Sequence, residues 1–283
     1  MNYIGAHIPK DKSIIKTINN IINSDGNALQ LFVSNPRSIK LVDINNFSID
    51  APLIISYCNL NNIKLVIHSS YIINLAKECK NDKRIIDIED CYWIKTILNE
   101  LDIANIINAI GCIVHVGKSV SLSTDDALNN MKIAIKYIIN YIKTNKLNSK
   151  LIIETPAGQG TELLSNIDDF LLFYNSFTKN EKKYLGICID TAHIWSAGYE
   201  LDEIFKKITE KNEKDILVIH LNNSKKDKGS NVDVHDELEK GKMNINDILT
   251  FIKNFNTLPI IILEKPSDNL NIEINNIKKF LEI

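Results

Sequence analysis

The stretch LGICIDTAH, Leu185–His193, decides how the rest of the chain is read. It opens as a short, continuous apolar run, the pattern of a strand buried on both faces of a parallel sheet. It ends on Asp190, and His193 follows three residues later, as a turn or opening helix would place it. Carboxylate and imidazole are ligands that divalent zinc, manganese or iron prefer. Chemistry-bearing side chains at a strand's C-terminal end are the habit of a parallel barrel.

The same pattern recurs along the chain. Strand-like runs occupy Tyr3–Gly5, Ala28–Phe32, Lys64–His68, Cys112–His115, Leu151–Glu154, Leu185–Asp190, Leu217–Leu221 and Ile260–Glu264. From the third run to the eighth, the strand ends read His68, His115, Glu154, Asp190, His220 and Glu264. Asp233 and His235 lie in the long loop after the seventh run, two residues apart, so an extended segment points both to one side. Between the runs, Ser13–Ser24, Asp125–Thr144, Asn246–Asn254 and Glu273–Ile283 show helical periodicity, with Thr124 and Asp125 offering an N-cap.

Eight strand–helix alternations in 283 residues predict a single (β/α)8 barrel over 1–283, with its active site at the C-terminal ends of the strands. An open doubly wound sheet is the alternative, but no Gly-x-Gly-x-x-Gly follows an early strand. No linker or composition shift marks a domain boundary. The charged stretches Lys179–Lys183 and Lys206–Lys214 read as solvated loops or helix ends.

A hydrophobic content of 45% with 24% charged residues is that of a soluble globular chain. The net charge of −2 gives no global attraction to nucleic acid. The five cysteines, Cys58, Cys79, Cys91, Cys112 and Cys188, form no Cys-x-x-Cys pair and read as reduced, mostly buried thiols of an intracellular protein. The start MNYIGAHIPK lacks a signal-peptide core, and no apolar run approaches the roughly 20 residues of a membrane span. These features together predict a soluble intracellular protein.

Five of the six histidines fall in the strand-end and loop set, with four carboxylates beside them. Nine such residues exceed the three or four protein ligands of a single zinc. Two or three metals with a bridging carboxylate are therefore expected, and oxygen and nitrogen donors suit hydrolytic Zn or Mn. Clustered metals can grip both the attacking and the leaving oxygen of a phosphodiester. A one- or two-metal sugar isomerase or epimerase on the same barrel is the rival. A catalytically silent damage-sensing protein is a further rival that complete retention of the set argues against.

The stretches YIGAH (Tyr3–His7), HSSYIINLA (His68–Ala76), IIETPAGQG (Ile152–Gly160), GICIDTAHIWSAGYEL (Gly186–Leu201), HLNNSK (His220–Lys225), GSNVDVH (Gly229–His235) and IILE (Ile261–Glu264) resemble, in order, the endonuclease IV family of apurinic/apyrimidinic (AP) endonucleases, within the xylose-isomerase-like barrels. The resemblance implies three zinc ions, with Mn2+ the alternative at one or more of them. His68 and His115 with Glu154 would hold the first. Asp190, His220 and Glu264, again with bridging Glu154, would hold the second, and His193, Asp233 and His235 the third. The implied reaction is hydrolysis of the phosphodiester 5′ to an abasic site in double-stranded DNA by a metal-bound hydroxide, leaving a 3′-hydroxyl and a 5′-deoxyribose phosphate, with 3′-end trimming alongside. The family acts as a monomer on this reading, without a membrane. It bends DNA and flips the abasic nucleotide, and Arg37, Tyr71 and Ile72 match the side chains that fill the stack.

The match has departures. Val116 stands where the family more often has Pro, Ser69 stands where Asp is common, and DELEKGKMN after His235 lacks the usual Gly-rich continuation. Three Zn2+ would carry the net charge from −2 to +4. Lys118, Lys225, Lys226, Lys228 and Lys265 fall in strand-end loops, so the mouth can attract phosphate where the average charge cannot. Gly158 and Gly160 in AGQG read as a tight turn rather than a phosphate cradle, because no Gly-Lys-Ser/Thr follows. His7, at the end of the first strand, is left for a supporting role or a DNA contact.

Overall fold

Eight parallel strands close on themselves in chain order in a computed structural model that describes residues 2–81 and 84–283. They are β1 (Ile4–His7), β2 (Ala28–Leu31), β3 (Lys64–His68), β4 (Gly111–His115), β5 (Lys150–Glu154), β6 (Leu185–Asp190), β7 (Ile216–His220) and β8 (Ile260–Leu263). Each pairs with the next, and β8 returns to β1 through Ile4–Ile261 and Gly5–Ile262. Apolar runs buried on both faces form this sheet because the barrel interior takes one face and the surrounding helices take the other. Gly5 is required where β1 meets β2: a Cβ there would lie 1.7 Å from the Ala28 carbonyl oxygen.

The surrounding helices are α1 (Ile14–Ile22), α2 (Asn45–Asn61), α3 (Tyr92–Ile106), α4 (Thr124–Thr144), α5 (Ile167–Asn175), α6 (Thr191–Ser196), α7 (Leu201–Asn212), α8 (Ile245–Lys253) and α9 (Leu270–Leu281). The four periodic segments all appear, starting within one to three residues of the expected positions. Their caps differ in detail. Ser123, not Thr124, accepts from Asp126 N at the start of α4, and Asn244 caps α8. Periodicity did not mark α2, whose Pro52 and scattered polar residues blur any apolar stripe. Lys206–Lys214 is largely the solvated second half of α7 rather than a loop.

Two expectations need correcting. Cys79 and Cys91 are joined by a disulfide, with Cα atoms 5.6 Å apart, so only Cys58, Cys112 and Cys188 are buried free thiols. The contact is tertiary: α3 begins just after Cys91 and is packed beside the loop that follows β3, and no local spacing rule announces it. The first strand also runs on to His7 instead of stopping at Gly5, since residues 5–7 pair with 28–30. Among the described residues, no helix is long and apolar enough to cross a membrane.

Candidate metal centre

The barrel interior is filled by a layer that includes Ala28, Val66, Ile113, Ile152, Cys188, Val218 and Ile262. Two residues further along each of these strands come Gln30, His68, His115, Glu154, Asp190, His220 and Glu264. Side chains in a strand repeat every two residues, so every one of these polar groups continues the inward face of its strand and reaches the same mouth. His193 sits in the first turn of α6, where Asp190 caps the helix by accepting from His193 N at 2.9 Å. Asp233 and His235 come from the long β7–α8 loop, which is stitched back by a short antiparallel bridge between Asn223–Ser224 and His235–Asp236.

Glu154 is the hub. Its Oε1 lies 2.8 Å from His220 Nδ1 and 3.6 Å from His193 Nδ1, and its Oε2 lies 3.5 Å from His68 Nε2 and 3.7 Å from His115 Nε2. Three groups of donor atoms could each hold a metal ion: His68, His115 and Glu154; Glu154, Asp190, His220 and Glu264; and Asp190, His193 and His235. Within each, the donor atoms lie no more than 4.8 Å apart. Asp233 Oδ1 adjoins the last group, 3.2 Å from His193 Nε2 and 3.1 Å from His235 Nε2. Asp190 therefore reaches two groups, where the resemblance implies one, because its Oδ2 also stands 3.5 Å from His235 Nε2. Cys188 lies near Glu154 and His220 as well, as part of a further group, with its thiol pushed well up by burial and by the neighbouring carboxylates.

The unpaired atoms fit a cation. Glu154 Oε2, His193 Nε2 and His235 Nε2 are buried without a hydrogen-bond partner, although buried polar atoms are ordinarily paired. Neighbouring carbonyls fix which ring nitrogens face inward. His68 Nδ1 lies 2.9 Å from Ser69 O and His193 Nδ1 lies 2.8 Å from Thr155 O. A carbonyl only accepts, so both Nδ1 atoms carry a proton, and in the neutral ring it is Nε2 that holds the lone pair a metal would take. The backbone of Ser69 thus orients His68 whatever its side chain is.

The electrostatics describe a cluster waiting for positive charge. Burial opposes protonation of His68, but Glu154 and Glu264 outweigh it and raise the imidazole to about 9. His235 is likewise raised to about 9 against the burial penalty, by Asp190, Asp233 and Glu264. Burial also penalises the charged forms of Glu154, Asp233 and Glu264, yet the facing imidazoles hold all three well below the usual carboxylate range. His115 is lowered, by burial first and then by the neighbouring His68 and His193.

The supporting residues were not visible as motifs. Gln30 Nε2 donates to Glu264 Oε1 at 2.7 Å and to His7 Nδ1 at 2.9 Å. Asn222 Nδ2 donates to Asp190 Oδ2 at 2.7 Å and to Glu264 Oε2 at 3.0 Å. Thr155 Oγ1 accepts from Asp190 N at 3.0 Å. Gln30 had a signal after all, standing two residues past Ala28 just as the other donors stand two past their interior residues. His7 is behind Glu264, 3.8 Å from its Oε1.

Tyr71 is 56% exposed, with its ring centroid 5.3 Å from Phe32, 5.9 Å from His68 and 6.2 Å from His115. Partial burial and the Glu264 and Glu154 charges push its hydroxyl up to about 12. Arg37 is exposed and Ile72 half-buried beside it on the same rim. Lys118, Lys225, Lys226, Lys228 and Lys265 are all exposed, though Lys228 is paired with Glu200 at 2.8 Å. Gly158 and Gly160 both take positive φ, and Glu162 Oε2 accepts from Gly158 N at 2.9 Å and Gln159 N at 3.2 Å. AGQG is thus a turn in which the Gly158 and Gln159 amides are already satisfied. Gln159 Oε1 also accepts from Asp233 N at 3.2 Å, which pins the long loop over the mouth.

With this geometry in view, residues 25–282 match the family model for xylose isomerase-like TIM barrels. The chain is 30% identical to the probable endonuclease 4 of Mycoplasma genitalium over 91% of its own length and 86% of that protein's. It superposes on endonuclease IV from Thermus thermophilus with a TM-score of 0.72 and 20% identity, covering 99% of both chains. A D-tagatose 3-epimerase-like protein superposes as well, with a TM-score of 0.73 and 16% identity over 99% of this chain and 97% of that one. At such identities the superpositions speak for the barrel alone, which nuclease and epimerase share.

Proposed function

The chain belongs to the endonuclease 4 family of xylose isomerase-like TIM barrels, and we propose that it is a zinc-dependent AP endonuclease of DNA base excision repair. On this reading it hydrolyses the phosphodiester 5′ to an abasic site in duplex DNA, leaving a 3′-hydroxyl and a 5′-deoxyribose phosphate. The observation that carries the proposal is the gathering of eight His, Asp and Glu side chains around Glu154, with three buried donor atoms of the nine-residue set unpaired.

His68, His115 and Glu154 would hold one zinc, Glu154, Asp190, His220 and Glu264 a second, and His193, Asp233 and His235 a third, with Asp190 within reach of the last. Bound there, zinc would lower the pKa of a water towards neutrality and offset the charge that develops on the phosphate. The protein's own part is orientation. Ser69 O and Thr155 O fix the tautomers of His68 and His193, and Gln30 and Asn222 hold the carboxylates in place. Tyr71, with Arg37 and Ile72 on the same rim, would replace the stacking lost when the abasic nucleotide leaves the helix, which costs least where the base is already missing. Lys118 beside His115 and the Lys225–Lys226 pair would meet the flanking phosphates.

The epimerase-like superposition keeps a sugar epimerase as the second reading. The His193, Asp233 and His235 group opposes it, since a one- or two-metal isomerase has no need of a third set. The deciding experiment is metal analysis of the purified protein together with an abasic-site oligonucleotide duplex. About three zinc per chain and strand scission 5′ to the lesion are expected. A ratio near one, with keto-sugar turnover and an intact duplex, would overturn the proposal.

A further inference from the structure

Glu100, on α3, is fully buried, and among the described residues no lysine or arginine pairs with it. A lone carboxylate in such a place is costly unless hydrogen bonds compensate it. Two bonds do, and they come from two different loops. Ser34 Oγ, three residues past the end of β2, donates to Glu100 Oε1 at 2.6 Å. Ser70 N, two residues past the end of β3, donates to the same carboxylate at 3.2 Å to Oε1 and 3.3 Å to Oε2. Just above it the loops meet directly: Ser70 Oγ donates to Pro36 O at 2.8 Å and Tyr71 N donates to the same carbonyl at 2.9 Å. Arg37 follows Pro36 and Ile72 follows Tyr71, so the junction lies at the root of both probing side chains.

We propose that Glu100 is a positioning residue that clamps the β2 and β3 loops to one another, so that Arg37 and Tyr71 meet the DNA as one rigid unit. The inference rests on the reading of Arg37 and Tyr71 as side chains that enter damaged duplex. Neither loop is tied down at that point by regular structure, since both have left the sheet. A buried acceptor reached from both therefore removes freedom that binding would otherwise have to remove, and preordering of this kind appears as affinity. Its neighbour Asn99 holds the first loop to α3 further along: its side chain accepts from Val42 N and donates to Val42 O, both at 3.1 Å. Burial raises the Glu100 carboxyl to about 7, against the Ser34 and Ser70 hydrogen bonds, which favour its ionised form.

The test compares metal-loaded wild type with Glu100→Ala, Glu100→Gln and Ser34→Ala, following zinc content, amide hydrogen exchange without DNA, and incision of an abasic duplex. Glu100→Ala should leave zinc content unchanged and speed exchange in residues 33–38 and 69–73 together by roughly tenfold, the scale of losing the net contribution of one hydrogen bond. KM should rise about tenfold for the same reason, with kcat within about twofold. Glu100→Gln keeps the one oxygen that both donors reach, so it should restore most of the coupling. If Glu100→Ala does not fold, Ser34→Ala decides, with faster exchange expected in both loops although only one carries the change. Faster exchange confined to one loop, an unchanged KM in an active enzyme, or loss of zinc would overturn the clamp. Failure of the wild type to cut abasic DNA would instead defeat the proposed function, and the exchange data would still judge the clamp.

Discussion

Gln30 Oε1 lies 2.8 Å from His220 Nε2, and this contact fixes which face of the imidazole looks into the metal centre. The other end of the amide donates to the Glu264 carboxylate, which can only accept, so the amide cannot be turned round. His220 Nε2 must then carry the proton. Its Nδ1 is left to face Glu154, Glu264 and Asp190 at 2.8, 3.3 and 3.7 Å.

Gln30→Leu should therefore weaken metal retention without removing a ligand. Supporting residues of this type change affinity by roughly 10–100-fold. Zinc content after dialysis against a graded chelator series would measure it, and retention equal to wild type would mean that Gln30 does not orient His220.

Glu154→Gln keeps the shape of the hub and removes its charge. Incision of an abasic duplex should fall to background while the secondary structure, followed by circular dichroism, is preserved. An unchanged rate would rule out Glu154 as the shared carboxylate.

The raised imidazoles set the pH response of the metal-free chain. His68 and His235 have folded pKa values of about 9, above the ordinary 6.5, so the stability they contribute is fully present below about pH 6.5 and is lost as pH rises through about 9. Chelator-treated protein should accordingly lose on the order of 10 °C in Tm between those limits. The metal-loaded protein should not, because ligands already deprotonated by metal have no proton left to lose. Differential scanning calorimetry on both forms checks this, and parallel curves would refute it.

Tyr71→Ala should reduce affinity for an abasic duplex by roughly 10–100-fold, the scale of one lost base–aromatic stack. Zinc content should stay at the wild-type value, since no donor atom changes. A loss of metal would instead show that the ring, packed on Phe32, His68 and His115, props up the centre.

Much of this was legible because the chain repeats one short rule. A buried apolar strand that ends on His, Asp or Glu names its barrel position and a candidate metal ligand together, as Leu185–Asp190 and Lys64–His68 do with matching bounds. Residues that act through a contact made only in three dimensions were not legible. Glu100 looks like any acid on a helix, Asn222 like any loop amide, and Cys79 and Cys91 like two unrelated thiols until α3 packs against the loop after β3. Helix α2 is hidden for a different reason: Phe47, Ala51, Ile54 and Cys58 face inward, but the outward Ile49, Leu53 and Leu60 are apolar too and erase the contrast that draws a stripe. Gln30 lay in between, since its neutral side chain hid a position that the two-residue step would have exposed.

The register of the sheet has a consequence for how the molecule matures. His115 pairs with Glu154 across β4–β5, and Asp190 pairs with His220 across β6–β7. A slip of one residue in any of these strands would turn its donor outward among the helices and bring an aliphatic side chain into the mouth. Misaligned barrels of this chain would thus bury their apolar residues almost as well as the correct one, but could not assemble the donor set. If the centre binds metal as proposed, its uptake would act as a proofreader, drawing the population towards the one alignment in which every strand contributes.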